Sequence, residues 1–192
     1  MLFTIVRISK NTSIFYWMKS LLLIKLFLFA GFMLAVYGCQ HPPDYDDKPR
    51  LEFKNIEKWS SLENGTKKDS LILVTRFEDG DGDLGLSNED ISQAPFNQGN
   101  NNINYFVDIF IKKNGVFQTL TLPSGFTFNG RFFRLAPDGR IGPIEGDLRY
   151  SIVVRENPLI TTGDVLKFRV RVRDRALRES NTVESEEIKV LQ

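Results

Sequence analysis

The sequence predicts an all-β domain, an antiparallel β-sandwich of immunoglobulin or fibronectin type III style. Three observations predict this class. Apolar and polar residues alternate along several short segments, Asn-Gly and Asp-Gly pairs occur between segments, and helical periodicity is absent from residues 50–192. Seven to nine short strands of this kind suit a sandwich, and an open barrel is the competing architecture.

Five segments define the strands most clearly. The second is apolar on both faces, which predicts a central strand covered on both sides. In the others polar residues take alternate positions, which predicts one buried face. The apolar positions are Leu51 and Phe53; Leu71, Ile72, Leu73 and Val74; Ile103, Tyr105, Val107, Ile109 and Ile111; Leu148, Tyr150, Ile152 and Val154; and Leu166, Phe168, Val170 and Val172.

Asn114-Gly115 is the strongest turn signal, because both central residues of a type I′ turn need positive φ. A two-residue loop there places the apolar partners of a hairpin on one face. The predicted pairs are Lys113 with Val116, Ile109 with Leu120 and Val107 with Leu122. Further turns are predicted at Asn129-Gly130 and Asp138-Gly139.

The N-terminal part predicts export. Residues 26–36 form an apolar run that is too short to span a bilayer, and it ends at Gly38-Cys39. A small residue before cysteine at this point is where a bacterial lipoprotein precursor is cleaved and lipidated. We therefore predict a signal peptide over residues 1–38, with Met18 as the true start, and lipidation of Cys39. An uncleaved anchor, or a secreted protein with a free thiol, is the alternative.

Residues 39–49 are rich in proline and aspartate, which predicts a flexible tether before a domain at residues 50–192. The acidic residues behind Cys39 either direct surface export or only solvate the linker. Cys39 is the only cysteine, so a disulfide framework is excluded. Acylation anchors the chain to a membrane, and we expect an outer-membrane lipoprotein of the cell envelope.

A calcium site is predicted in the loop that follows Phe77. Asp79, Asp81 and Asp83 alternate with glycines, so the chain can curl until the carboxylates converge on one hard cation. The spacing resembles positions 1, 3 and 5 of an EF-hand loop, with Asp90 at position 12 and Glu89 beside it. Position 6 is Leu84 instead of glycine, which favours a β-protein loop site. Two solvated Asp-Gly turns are the alternative reading.

Two further features are open to a functional and a structural interpretation. Asp174 ends a long strand and either completes the metal shell or pairs with Arg173 or Arg175; pairing is favoured. Alternate basic residues precede it, and they bind an anionic partner or pair with Glu184 and Glu186 on the next strand; pairing is again favoured. These basic residues are Lys167, Arg169, Arg171 and Arg173. Phe110 and Phe117 are expected to line a second sheet layer and not a sugar platform.

Composition and motifs exclude several functions. The net charge of +1 does not indicate a nucleic-acid partner. The only histidine, His41, lies in the tether, and neither a Gly-x-Ser-x-Gly nor a His-Glu-x-x-His motif occurs. We therefore expect a non-enzymatic protein. A glycan hydrolase with paired carboxylates is the less favoured alternative.

Together, Gly38-Cys39, the segment from Phe77 to Gly85 and the segment from Asp174 to Asn181 resemble small bacteroidete lipoproteins with an immunoglobulin-like or cadherin-like body. The resemblance implies location and fold more than activity. Two functions follow as expectations. The first is a binding or scaffolding module of the cell envelope with a Ca²⁺-stabilised loop. The second is an accessory subunit of a nutrient-uptake or adhesion complex that binds an envelope protein or a glycan.

Overall fold

The computed structural model describes Lys25 and residues 43–136 and 140–192. Within residues 43–136 and 140–192, two antiparallel sheets form a β-sandwich, and one turn of 3₁₀ helix lies at Asp90–Ser92. The predicted all-β class is confirmed. The predicted leader, Cys39, His41 and the Asp138-Gly139 turn lie outside the described residues.

The first sheet has three strands in the order β1-β2-β5. They are β1 (Arg50–Glu63), β2 (Thr66–Asp79) and β5 (Ile144–Arg155). The central position of β2 agrees with its apolar run. Asn64 and Gly65 connect β1 to β2 with φ of 52° and 80°, the type I′ conformation that an Asn-Gly pair favours.

The second sheet has five strands. They are β3 (Tyr105–Lys113), β4 (Val116–Thr119), β6 (Val165–Val172), β7 (Val183–Glu184) and β8 (Ile188–Lys189). The order is β4-β3-β6-β7, and β8 pairs with the other end of β6. Between β3 and β4, Asn114 and Gly115 form the predicted turn, with φ of 52° and 82°.

The core lies between the sheets and is built from the predicted apolar faces. Every second residue of β6 is fully buried, and the matching positions of β2 and β3 and most of those of β5 are also buried. The tyrosine rings of Tyr105 and Tyr150 stack across the core with centroids 3.9 Å apart. Burial of this apolar surface is the main favourable contribution to folding.

The β3–β4 register is confirmed in part. Lys113 pairs with Val116, and the Leu120 amide donates to the Ile109 carbonyl at 2.8 Å. The predicted pairing of Val107 with Leu122 is wrong, because the Val107 amide instead donates to the side chain of Asn129 at 2.8 Å.

Asn129-Gly130 is likewise not a turn. Gly130 forms an antiparallel bridge with Tyr105, so residues 129–132 extend along the edge of β3 beyond the short strand β4. Asn104 holds this segment: its side chain donates to the Phe132 carbonyl and accepts from the Phe132 amide, at 3.0 and 2.9 Å.

The outer face of the second sheet carries the basic residues of β6. Glu184 pairs with Lys167 and Arg169, while Glu179 pairs with Arg171 and Arg173. Pairing with acidic neighbours therefore agrees with the structural interpretation, although Glu179 takes the place expected of Glu186.

Phe110 and Phe117 do not line an inner layer, and that expectation is wrong. Phe110 lies under the Arg169 guanidinium at 4.8 Å, and Phe117 lies near Lys112 and Lys167 at 5.3 and 6.0 Å. Their rings are on the outer face because the opposite side of β3, with Ile109 and Ile111, faces the core. Such cation–π contacts cover apolar surface without a second layer.

The compact unit that contains the sandwich extends over Pro43–Gln192. It begins before Arg50, the boundary that composition indicates, because Tyr45 and Asp46 contact the sandwich and Pro49 is buried. In the described part of the chain, helices with the length and apolar character needed to cross a membrane are absent.

Candidate cation site

The Asp-Gly loop, residues 79–83, begins where β2 ends at Asp79. Its glycines allow other parts of the chain to approach closely. A Cβ on Gly80 would lie 2.3 Å from the Tyr45 carbonyl oxygen, and one on Gly82 would lie 2.5 Å from that of Gly142. Gly82 also has a φ of 71°, which non-glycine residues rarely adopt. The loop is thus enclosed by backbone on two sides.

Beyond the loop, residues 84–86 are buried. Leu84 is 0% exposed and forms an antiparallel bridge with Asp174, which follows β6. The Leu135 amide also donates to the Leu84 carbonyl at 3.1 Å. This bridge brings Asp174, more than ninety positions later in the chain, next to the loop.

Three carboxylates converge at this point. Asp79, Asp83 and Asp174 each offer an oxygen within 4.8 Å of the others. Asp79 is fully buried and Asp174 is 2% exposed. Both Asp79 and Asp83 keep one buried oxygen, Oδ1, without a hydrogen-bond partner in the described structure. Asp81 also has such an oxygen and lies on the solvent side of the group.

Backbone amides hold one oxygen of each of the three converging carboxylates. The Asp83 amide donates to Asp79 Oδ2 at 2.9 Å, and the Ala176 amide donates to Asp83 Oδ2 at 3.1 Å. The Arg178 amide donates to Asp174 Oδ1 at 2.7 Å. These bonds fix the side chains, so the loop after β6 and the loop after β2 together form the group.

The electrostatic environment disfavours negative charge in the absence of a cation. Burial, and then the neighbouring carboxylates Asp83 and Asp81, raise the pKa of Asp79 to about 7. Burial and then the Asp174 and Asp81 carboxylates raise the pKa of Asp83 to about 6. A bound cation would reverse this effect, since it favours the charged form of every ligand.

Arg178 is a basic residue that contacts the group directly. Its Nε donates to Asp174 Oδ2 at 2.7 Å, its Nη2 contacts Asp81 and lies 3.7 Å from Asp83 Oδ2, and its Nη1 lies 3.7 Å from Asp47. One guanidinium therefore serves several carboxylates. It leaves the Oδ1 atoms of Asp79 and Asp83 without a partner.

Asp90 and Glu89 lie apart from this group. Asp90 pairs with Arg134 and accepts the Ser87 amide at 2.7 Å, and these contacts lower its pKa to about 2. Glu89 precedes the 3₁₀ turn, and its pKa is lowered, first by a hydrogen bond from Ser87. The structure does not bring Asp90 and Glu89 into the group of converging carboxylates, since Asp90 is paired with Arg134 and both residues lie at the 3₁₀ turn.

Asp174 pairs with Arg178, and neither Arg173 nor Arg175 takes that role. Arg173 pairs with Glu179, and Arg175 donates to the Gly85 carbonyl at 3.3 Å. Arg178 was not among the residues that the sequence indicates. The sequence gives little indication of this role of Arg178, because no local pattern relates an arginine four residues after Asp174 to Asp81.

The ligand set fits a hard divalent cation. All the converging atoms are carboxylate oxygens, the ligands that Ca²⁺ prefers, and the buried oxygens without partners supply unused acceptors. Asp79, Asp83 and Asp174 would hold the ion, with Asp81 at the edge of the site. Thiol and imidazole ligands of the softer metals do not occur among these residues.

A second concave feature lies at the other end of the first sheet. It is an apolar cleft of about 590 Å³ whose lining includes Phe126, Phe128, Leu159 and Ile160. Its polar lining groups are engaged internally: Asn157 caps the amides of Leu159 and Ile160. The cleft does not bring polar side chains together as the carboxylate group does.

Comparison of the chain with protein-family models, with curated proteins and with solved structures finds no match in any of the three.

Proposed function

We propose that the protein is a non-enzymatic binding or scaffolding module of the cell envelope, anchored through lipidated Cys39, whose Asp-Gly loop is stabilised by Ca²⁺. The observation that carries the calcium proposal is the fully buried Asp79, with an unpartnered oxygen, beside Asp83 and Asp174. The lipid anchor is supported by Gly38-Cys39 after an apolar run.

The cation would have a structural role. The loop after β2 and the loop after β6 are joined by the Leu84–Asp174 bridge and by the Ala176 amide, but their carboxylates repel one another beside Arg178. When bound, Ca²⁺ supplies the positive charge that offsets this repulsion. Binding to the native state alone stabilises it, by about 2.7 kcal/mol at a free concentration 100 times the Kd. For a domain without disulfides, this contribution is substantial.

The test is thermal unfolding of the full chain in CaCl₂ and in EDTA. We expect a higher Tm in CaCl₂, because only the folded state brings the ligands together. An Asp79→Asn/Asp83→Asn variant should lose this difference, since two of the three converging carboxylates lose their charge.

Asp108→Asn is the matched control, because Asp108 is an exposed carboxylate on the outer face of β3. It should keep the full response to calcium. A wild-type Tm that is the same in CaCl₂ and in EDTA would reject the calcium site. MgCl₂ at equal ionic strength distinguishes specific binding from general screening.

A further inference from the structure

The chain that precedes β1 lies directly on the Asp-Gly loop. We call residues 45–47 the entry segment. The Gly80 amide donates to the Asp46 carbonyl at 2.9 Å, and the Tyr45 hydroxyl donates to Glu145 at 2.7 Å, at the start of β5. The entry segment is thus hydrogen-bonded to the loop itself and to the strand beside it.

The contact requires glycine at position 80. A Cβ there would lie 2.3 Å from the Tyr45 carbonyl oxygen and 2.9 Å from the Asp46 carbonyl carbon and oxygen. These are backbone atoms, so they cannot move aside as the end of a flexible side chain can. Any larger residue at position 80 would displace the entry segment.

A second contact joins the entry segment to the carboxylate group. Arg178 lies 3.7 Å from Asp47 and also contacts Asp81 and Asp174. The same guanidinium therefore faces both the entry segment and the candidate ligands. Arg178 divides its contacts between Asp47 and the carboxylates of the group. A change in the charge of those carboxylates therefore changes how strongly Arg178 interacts with Asp47.

We propose that cation binding at Asp79, Asp83 and Asp174 fastens the entry segment to the sandwich, so that the site controls how the domain is held by the chain that precedes it. This inference rests on the proposed calcium site and states what that site acts on. A cation that fixes residues 79–83 also fixes the Gly80 amide and releases Arg178 toward Asp47.

Coupling of this kind is reciprocal. If the cation favours the docked entry segment by some factor, then docking favours cation binding by the same factor. The proposal can therefore be tested from both sides. One experiment measures protection of the entry segment from proteolysis with and without the cation. The other measures cation affinity after the entry segment has been displaced.

The first experiment is limited proteolysis of the full chain by chymotrypsin, with cleavage after Tyr45 quantified by mass spectrometry. We expect CaCl₂ to slow this cleavage about fivefold or more relative to EDTA, because the protease acts on the undocked segment. A synthetic peptide of residues 43–49 is the control for the activity of the protease in the two buffers.

The second experiment measures Ca²⁺ binding by calorimetry to the full chain and to Gly80→Ala. This variant keeps every candidate ligand, and we expect its affinity to fall about tenfold. Gly115→Ala is the matched control. It makes the same chemical change in the β3–β4 turn, where φ is 82° and no atom crowds the added Cβ, and its calcium affinity should equal that of wild type.

The outcomes separate the two proposals. Absence of binding to the wild type overturns both the calcium site and the coupling. Binding with unchanged cleavage at Tyr45 overturns the coupling and leaves the site. The wild-type proteolysis decides the matter even if Gly80→Ala does not fold.

Discussion

At the scale of single residues, Asp79 and Asp83 are held where their charged forms are unfavourable. The pKa of Asp79 is raised to about 7 and that of Asp83 to about 6, in both cases first by burial. A group whose pKa is raised on folding binds its proton more tightly in the folded state. Stability is then lost as the pH rises from the unfolded pKa toward the folded one.

We therefore predict that the calcium-free chain becomes less stable between pH 5 and pH 8, by on the order of 2–4 kcal/mol, since one pKa unit corresponds to about 1.4 kcal/mol. Urea unfolding in EDTA at several pH values measures this. Asp79→Asn should remove most of the loss. Stability that is constant or rises over this interval would contradict the prediction.

Arg178 acts as an internal counter-ion for the same group. We predict that Arg178→Gln lowers the Tm in EDTA and enlarges the increase in Tm that CaCl₂ produces. The reason is that the variant leaves buried carboxylates without their guanidinium, and removing one partner of such a pair is costly. Thermal unfolding in the two buffers measures the effect.

Arg155→Gln is the control for this prediction. Arg155 pairs with Glu63 at the opposite end of β5, where both side chains are about half exposed. Exposed pairs contribute little to stability, so this variant should change neither the Tm in EDTA nor the calcium response by much. Equal calcium responses of Arg178→Gln and wild type would show that Arg178 does not compensate for a cation.

At the scale of elements, Asn104 supplies backbone hydrogen bonds along the edge of β3 where the short strand β4 has ended. Its amide makes two hydrogen bonds to the backbone of Phe132 and is 1% exposed. We predict that Asn104→Ala destabilises the protein by about 2–4 kcal/mol, because it leaves the Phe132 amide without its partner and removes one of the two hydrogen bonds to the Phe132 carbonyl. Urea unfolding measures this, and Asn102→Ala, at an exposed neighbouring position, should be close to neutral.

Asn104 also bears on the candidate site. The Leu86 amide donates to the Phe132 carbonyl at 3.1 Å, so the segment that Asn104 holds lies beside the chain leaving the Asp-Gly loop. Asn104→Ala should therefore weaken calcium binding as well as stability. An Asn104→Ala protein with wild-type stability would show that the two bonds contribute little.

The strands are predictable from sequence because alternation of apolar and polar residues follows directly from burial of one face of a strand. Local turns are less certain: Asn114-Gly115 follows the rule, but Asn129-Gly130 pairs with Tyr105 because Asn129 and Asn104 bond to neighbouring backbone. The alternation of Asp79, Asp81 and Asp83 also indicates a cation loop. The spacing alone does not indicate that Asp174, and not Asp90, joins the group of carboxylates, since that depends on a bridge between distant segments.

At the scale of the whole molecule, the proposed address depends on a modification at Cys39. We predict that the native protein, extracted from membranes, lacks residues 1–38 and carries acyl chains. Intact-mass measurement gives both quantities, and Cys39→Ser is the control that should abolish the added mass. A native product that retains its leader, or one that lacks acyl mass, would contradict the prediction.

The register of β2 with β5 separates the carboxylate group from the apolar cleft. Asp79 pairs with Ile144 at the carboxylate end, and Lys68 pairs with Arg155 beside the apolar cleft. Eleven steps of extended chain correspond to roughly 36 Å. Substitutions that far apart are usually additive in free energy. The apolar end of the sandwich could therefore be redesigned without disturbing its acidic end, where the polypeptide enters the domain.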